Sequence, residues 1–402
     1  MISVPAQPMQ EAPDAIPVMR PKLPSADLVL PYLRRLDSSR IYSNWGPLVS
    51  EFEHRLCEHF ALPAGSVVTA NSGTTALVSA ILATAGRATV ERRYALMPAY
   101  TFIATAAAAE QCGYEPYLVD VDAESWALNA QTLLGNSALE RVGVVIPVAP
   151  YGRPVPQAPW QAFRAQTGIP VVIDGAACFD GITAWPEPFV GRIPVAMSFH
   201  ATKAFGCGEG GCVVSVDEPS QQKAFARALN FGFYGDRISR SAGTNGKMSE
   251  YHAAVGLAEL SGWKDKQALY VDVIERYRRK LGAAGLLRSF CSAPNVSGCY
   301  ALYVCSSASE SARMQAFLDQ RGIDSRLWYG NGLHHHVSLK DAPRDDLAVT
   351  DALAPRIVGI PMAADLADSA IARVVSALVE YLAVGRSTSS AEDVTYSAAA
   401  QR

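Results

Sequence analysis

VAMSFHATKAFGCGEGGCVVSV, residues 195–216, decides the fold. It opens with an apolar run of strand type, places Lys203 a few residues beyond it, and passes through a glycine-rich turn directly into a second apolar run. Gly206, Gly208 and Gly211 match the G-x-G-x-x-G spacing of dinucleotide loops, but that motif must open a helix and here it runs into a strand. A Rossmann dinucleotide site is therefore rejected. A lysine just past a buried strand is an unusual place for a solvated charge. Set against an aldehyde, its amine can form an imine, because burial and nearby cations free a lysine's nucleophile.

Five further runs precede this segment: SVVTA (66–70), YALMPA (94–99), EPYLVDV (115–121), VGVVIPV (142–148) and PVVID (170–174). Several are apolar throughout, as strands covered on both faces by helices are. Their alternation with helical stretches predicts an α/β fold with a large, mostly parallel, seven-stranded sheet domain. Residues 251–260 and 267–281 read as helices. Beyond them come candidate strands YALYVC (300–305) and RIVGIP (356–361), with helical patterns at 311–322 and 365–383. The expected organisation is a loose N-terminal arm over 1–20, a large domain over 21–270, a smaller C-terminal α/β domain over 271–385, and a Ser/Ala-rich disordered tail over 386–402. Neither arm nor tail is expected to carry chemistry.

With 402 residues, 49% of them hydrophobic, the chain can bury a substantial core. The formal charge is −3 and no Lys/Arg block occurs, which argues against nucleic acid and anionic lipid as partners. No apolar stretch approaches the length of a membrane span, and the N-terminal residues do not read as a signal peptide. The eight cysteines are scattered without a CxxC pair, which predicts free thiols in a reducing cytoplasm. His334-His335-His336 suggests a metal, yet adjacent histidines cannot all face one ion and no acid or cysteine sits at a supporting spacing. No metal is expected, and this stretch reads as a loop at an active-site mouth.

Four segments end or follow a strand, where open α/β sheets place their ligands. Asn71-Ser72-Gly73-Thr74-Thr75 offers backbone N–H groups, hydroxyls and a helix dipole suited to phosphate; it is equally an ordinary helix cap. Asp174 closes an apolar strand, either as a turn cap or as the partner of a protonated pyridine nitrogen. The third segment is the Lys203 turn itself, in which His200 either shapes the pocket or is a structural histidine. In the fourth, Gly243 to Glu250, Ser249 or Thr244 is a sufficient cap for the next helix.

In order, NSGTTAL, PAYTFIATA, DVDAESWALN, VIPVAPYGRPVP, VVIDGAA, SFHATKAFGCGEGGCVV and GTNGKMSEYHAAVGLAEL resemble the DegT/StrS sugar aminotransferases, a family of fold type I pyridoxal phosphate enzymes. The resemblance implies Lys203 as the Schiff-base lysine and proton carrier, and Asp174 as the acid on the pyridine nitrogen. It implies Gly73, Thr74, Thr75 and Ser198 as phosphate ligands, Phe102 as a ring stacked on the pyridine, and Ala177 beside the cofactor's 3′ oxygen, where many relatives carry Gln or His. It further implies a homodimer in which Asn245 and Lys247 are supplied to the partner's site. His200, Arg326 and His334 are candidates for substrate contact. The implied reaction moves an amino group from glutamate or glutamine to a nucleotide-linked ketosugar. A cyclitol aminotransferase is the nearer alternative. A sugar dehydrase, in which a histidine replaces the lysine, and a non-catalytic pyridoxal-binding regulator are more remote.

Overall fold

A computed structural model describes residues 15–184, 186–217, 219–291 and 298–399. The strands of its main sheet are β1 (Val67–Ala70), β2 (Tyr94–Pro98), β3 (Glu115–Val119), β4 (Val142–Val145), β5 (Ile173–Asp174), β6 (Val195–Ser198) and β7 (Gly211–Val214). They pair as β1-β7-β6-β5 and as β3-β2-β4. Parallel bridges Val145↔Val171 and Val148↔Asp174 stitch β4 to β5 and join the two sets. β7 runs antiparallel to β1 and β6, while the other pairings are parallel.

The unbroken apolar runs have a direct cause. Val67, Leu96, Val145, Ile173, Val195 and Val214 enter one core with Phe52, Trp160 and Leu257 from helices Pro47–His59, Gln157–Thr167 and Glu250–Ser261. Their chain neighbours Val68, Ala95, Val144, Val172, Ala196 and Val213 enter another with Leu77 and Phe225 from helices Gly73–Thr84 and Pro219–Leu229. Successive side chains point to opposite faces of a sheet, so burial of both faces requires both alternations to be apolar.

The glycine-rich segment forms a hairpin between β6 and β7, with Phe199 N–H donating to Gly210 O and Ala201 N–H to Gly208 O, both at 2.8 Å. Gly208 has φ +94°, open to glycine at little cost. Gly211 pairs with Ala70 on one side and Ser198 on the other. A Cβ there would lie 2.7 Å from Ser72 O and 2.8 Å from Gly73 Cα, so its absence lets the start of helix Gly73–Thr84 lie against the strand end.

Helices Glu250–Ser261 and Trp263–Ala283 lead to a smaller antiparallel sheet ordered β10-β9-β8, made of β8 (Phe290–Cys291), β9 (Ala301–Val304) and β10 (Ile357–Ile360). Two expectations need correction. Residues 1–14 of the arm lie outside the described residues, but Ile16 bridges Ile323 and Met19 bridges Met362, and Ile16 and Val18 are buried. Their apolar side chains tie this stretch to the C-terminal part of the chain. The final helix runs Asp368–Ala399 and takes in most of the expected disordered tail, of which 400–402 lie outside the described residues. That stretch has no proline after Asp368 and is rich in alanine, which favours helix. No helix of the described residues is long and apolar enough to cross a membrane.

Candidate active site

A cavity of about 460 Å3 opens where β1, β5 and β6 end, as expected of an open α/β sheet. Gly73, Thr74, Phe102, Asp174, Ala177, Ser198, His200, Lys203 and Arg326, all anticipated from the sequence, line it. Met19 also lines it, so the arm contributes to the wall after all.

Asp174, the last residue of β5, is buried. Its Oδ2 accepts from Thr105 Oγ1 at 2.7 Å and its Oδ1 from Ala176 N–H at 3.1 Å; Thr105 in turn pairs with Thr101 Oγ1 at 2.9 Å. Burial pushes the Asp174 carboxyl above its ordinary range, opposed by these two hydrogen bonds and by the charge of Lys203. Lys203 donates from Nζ to the Tyr300 hydroxyl at 3.0 Å rather than to a carboxylate. Burial holds the Tyr300 phenol well above its usual range, so that hydroxyl stays neutral.

Ser72 caps helix Gly73–Thr84, accepting from Thr75 N–H at 3.1 Å and sharing a bond with Thr75 Oγ1 at 2.8 Å. The capping reading therefore holds, and it turns Thr75 away: Thr74 lines the cavity and Thr75 does not. Gly73 packs on Ser198, where a Cβ would approach Ser198 Cβ to 2.6 Å. Ser198 Oγ accepts from His200 N–H at 3.2 Å, and His200 Nδ1 pairs with Thr202 Oγ1 at 2.7 Å. Phe102 is 57% exposed and lines the cavity. The Arg326 guanidinium lies 5.3 Å from the Trp328 ring centre.

Asn245 and Lys247 do not line the cavity of their own chain. Lys247 Nζ donates to Asn230 Oδ1 at 2.8 Å and Asn245 Oδ1 at 2.9 Å, and Asn71 N–H donates to Gly246 O at 2.8 Å. Ser249 caps helix Glu250–Ser261 through His252 N–H. His334 also lies outside the cavity: its Nε2 is 2.8 Å from Asp351 Oδ1, and His335 Nε2 is 3.8 Å from the same oxygen. The acid partner missed in sequence stands 17 residues on and is brought in by the fold. His334 Nδ1 is buried without a hydrogen-bond partner among the described residues, and one ligand atom from each of His334, His335 and Asp351 lies within 4.8 Å of the others. A larger cleft of about 690 Å3, lined by Glu53, Lys223 and Tyr234 among others, contains none of the anticipated site residues.

Sequence reading missed Thr105, Tyr300, Trp328 and Tyr329. Thr105 had a faint signal, standing one helical turn after Thr101 in the PAYTFIATA stretch. The aromatic residues carried none, because they reach the cavity from the C-terminal segment.

A desolvated acid, an amine bonded only to a neutral hydroxyl, and a helix N-terminus whose first N–H groups have no intrahelical acceptor share one cavity. Pyridoxal phosphate carries a complement to each, in its ring nitrogen, aldehyde and phosphate, and the residues fit it. Fold and cavity define a pyridoxal phosphate-dependent aminotransferase. The chain belongs to the DegT/DnrJ/EryC1/StrS aminotransferase family, whose model matches residues 27–379. It is similar to Protein Rv3402c of Mycobacterium tuberculosis (strain ATCC 25618 / H37Rv), with 33% identity over 374 residues covering 91% of this chain and 90% of that one. It is also similar to dTDP-4-amino-4,6-dideoxy-D-glucose transaminase of Escherichia coli, with 25% identity over 375 residues covering 90% and 98%. Among solved structures, DesI in the presence of its TDP-sugar product matches with a TM-score of 0.82 and 26% identity, over 95% of this chain and 97% of that one.

Proposed function

We propose that this protein moves an amino group from glutamate or glutamine to a nucleotide-linked ketosugar. The observation that carries the reading is the placement of Lys203 and Asp174 around one cavity that also receives the N-terminus of helix Gly73–Thr84. Similarity to a dTDP-sugar transaminase and to a structure holding a TDP-sugar product supports the acceptor class.

In this reading the cofactor, when bound, supplies the electron sink that makes the donor's Cα proton labile. Lys203 Nζ carries that proton between the donor Cα and the cofactor's C4′ carbon. Asp174 holds the ring nitrogen protonated, and Thr105 and the Ala176 N–H fix its carboxylate. Gly73, Thr74 and Ser198 hold the phosphate, with Ser72 closing the helix turn behind them. Phe102 would offer its ring face to the cofactor, and Ala177 would offer no side-chain hydrogen bond to the 3′ oxygen. His200 and Arg326 are placed to meet substrate.

We further propose a homodimer in which Asn245 and Lys247 reach the partner's phosphate site, which is supported by the exposure of Asn245 and by the position of both residues outside their own cavity. Mixing a Lys203→Ala protein with one altered at both Asn245 and Lys247 restores partial activity in heterodimers if the site is shared. Verified heterodimers as inactive as both parents overturn the sharing.

The acceptor is tested by incubating the pyridoxamine phosphate form with a panel of nucleotide-linked ketosugars and keto-inositols, following recovery of the pyridoxal absorbance. Recovery with a nucleotide ketosugar supports the proposal; recovery with keto-inositols alone replaces it with a cyclitol aminotransferase.

A further inference from the structure

We infer that Tyr300 is a positioning residue that holds the Lys203 amine in reach of the reacting carbons whenever that amine is free; this rests on the function proposed above. Tyr300 stands immediately before β9, the central strand of the smaller sheet, so its backbone is carried by the C-terminal part of the chain while Lys203 follows β6 of the main sheet. The two meet across the cavity, with Lys203 Nζ 3.0 Å from the Tyr300 hydroxyl.

Three features suit this hydroxyl to hold the amine rather than to titrate. Burial keeps the phenol neutral, so it accepts the lysine's hydrogen bond without becoming a competing base. Its ring is clamped edge-on by Tyr151, with centres 5.3 Å apart, and by Trp328, 5.5 Å apart, which leaves the hydroxyl little freedom. Tyr151 is itself stacked on Tyr329 at 4.5 Å and bonded to the Tyr100 hydroxyl at 2.8 Å, so the clamp is anchored in turn.

Lysine needs such a stop. Its four-carbon stem has many rotamers, and a proton carrier must return to the same place in each half-reaction. Asp174, whose carboxyl feels the charge of Lys203, is engaged by Thr105 and Ala176. A neutral acceptor fixes the amine without drawing it into an ion pair with the acid required at the ring nitrogen.

Tyr300→Phe keeps the ring and its packing and removes only the oxygen. The expected result is a thermal midpoint and an affinity for pyridoxamine phosphate, which makes no bond to Lys203, both equal to wild type. Turnover should fall about tenfold, the order expected for one hydrogen bond to a charged group, with the donor KM within about twofold. Covalent capture of pyridoxal phosphate by the cofactor-free full-length protein, followed by borohydride reduction and mass analysis at Lys203, should slow by a similar factor. Capture and turnover at wild-type rates make Tyr300 a packing residue and overturn the inference, and so does a parallel loss of pyridoxamine phosphate affinity, which would place the defect in the pocket. If wild-type protein is not captured at Lys203 at all, the function proposed above fails, and this inference fails with it.

Discussion

Asp174, Ser198 and Lys203 stand at or just beyond the ends of hydrogen-bonded strands, whereas Tyr300, the first residue of the opposite wall, lies 97 residues after Lys203. On the first wall, sheet register sets position: Ser198 and Ala70 both pair with Gly211, so the end of β6 and the start of helix Gly73–Thr84 cannot drift apart. On the second, rings pack on rings, as in the Tyr151–Tyr329 stack and the Tyr300–Trp328 edge contact. Register is a backbone property and resists side-chain substitution. Ring packing accepts exchange of one shape for another of similar volume.

The contrast is sharpest at Lys203. Lys203→Ala is expected to abolish both half-reactions, and borohydride should fix the cofactor to Lys203 and to no other lysine in wild type. An adduct elsewhere would remove the reacting amine from the register-fixed wall.

Next in size is Asp174→Asn, which should keep the fold and lower turnover by ~10² or more, as loss of a preorganised electrostatic partner does. Wild-type turnover in that variant would reduce Asp174 to a turn cap.

Arg326, beside the aromatic wall, should respond differently in kind. Arg326→Gln is expected to raise the acceptor KM by about tenfold, the scale of a lost charged hydrogen bond, while the donor half-reaction proceeds normally. Equal losses in both half-reactions would mean that Arg326 does not serve the acceptor alone.

The smallest effect lies away from both walls, in the larger cleft. Desolvation raises Glu53 to about 7, against hydrogen bonds from Thr69 N–H and Oγ1 at 2.8 Å each. A carboxyl whose folded pKa is raised binds its proton more readily in the folded state, so its contribution is full below the ordinary carboxylate range and is lost as pH rises through about 7. Glu53→Gln should therefore flatten the fall in thermal midpoint across that range and leave turnover unchanged. A wild-type midpoint with no such fall would show that Glu53 titrates normally.

The same division governs how much was legible. The strands of the main sheet could be read because burial on both faces writes an unbroken apolar run, and Lys203 and Asp174 because each is a polar group placed where such a run stops. Thr75, which the resemblance implies as a phosphate ligand, pairs with the capping Ser72 and does not line the cavity, and the sequence does not say which of two adjacent threonines a capping serine engages. The Asp351 partner of His334 could not be read, because it is remote in the chain. The tail was misjudged because its composition suits helix as well as disorder.

What the sequence determined by itself is local: the order of strands along the chain, the glycine-rich turn that runs into a strand rather than a helix, and the acid and amine at strand ends. Each follows from interactions within a few residues or from a periodicity repeated along one element. Only the tertiary structure decided that Tyr300, Arg326, Trp328 and Tyr329 face Lys203, that Thr105 holds Asp174, and that Asn245 and Lys247 stay out of their own cavity. Those meetings depend on how separate elements pack, and an aromatic residue that lines a cavity obeys the same burial pattern as one that fills a core.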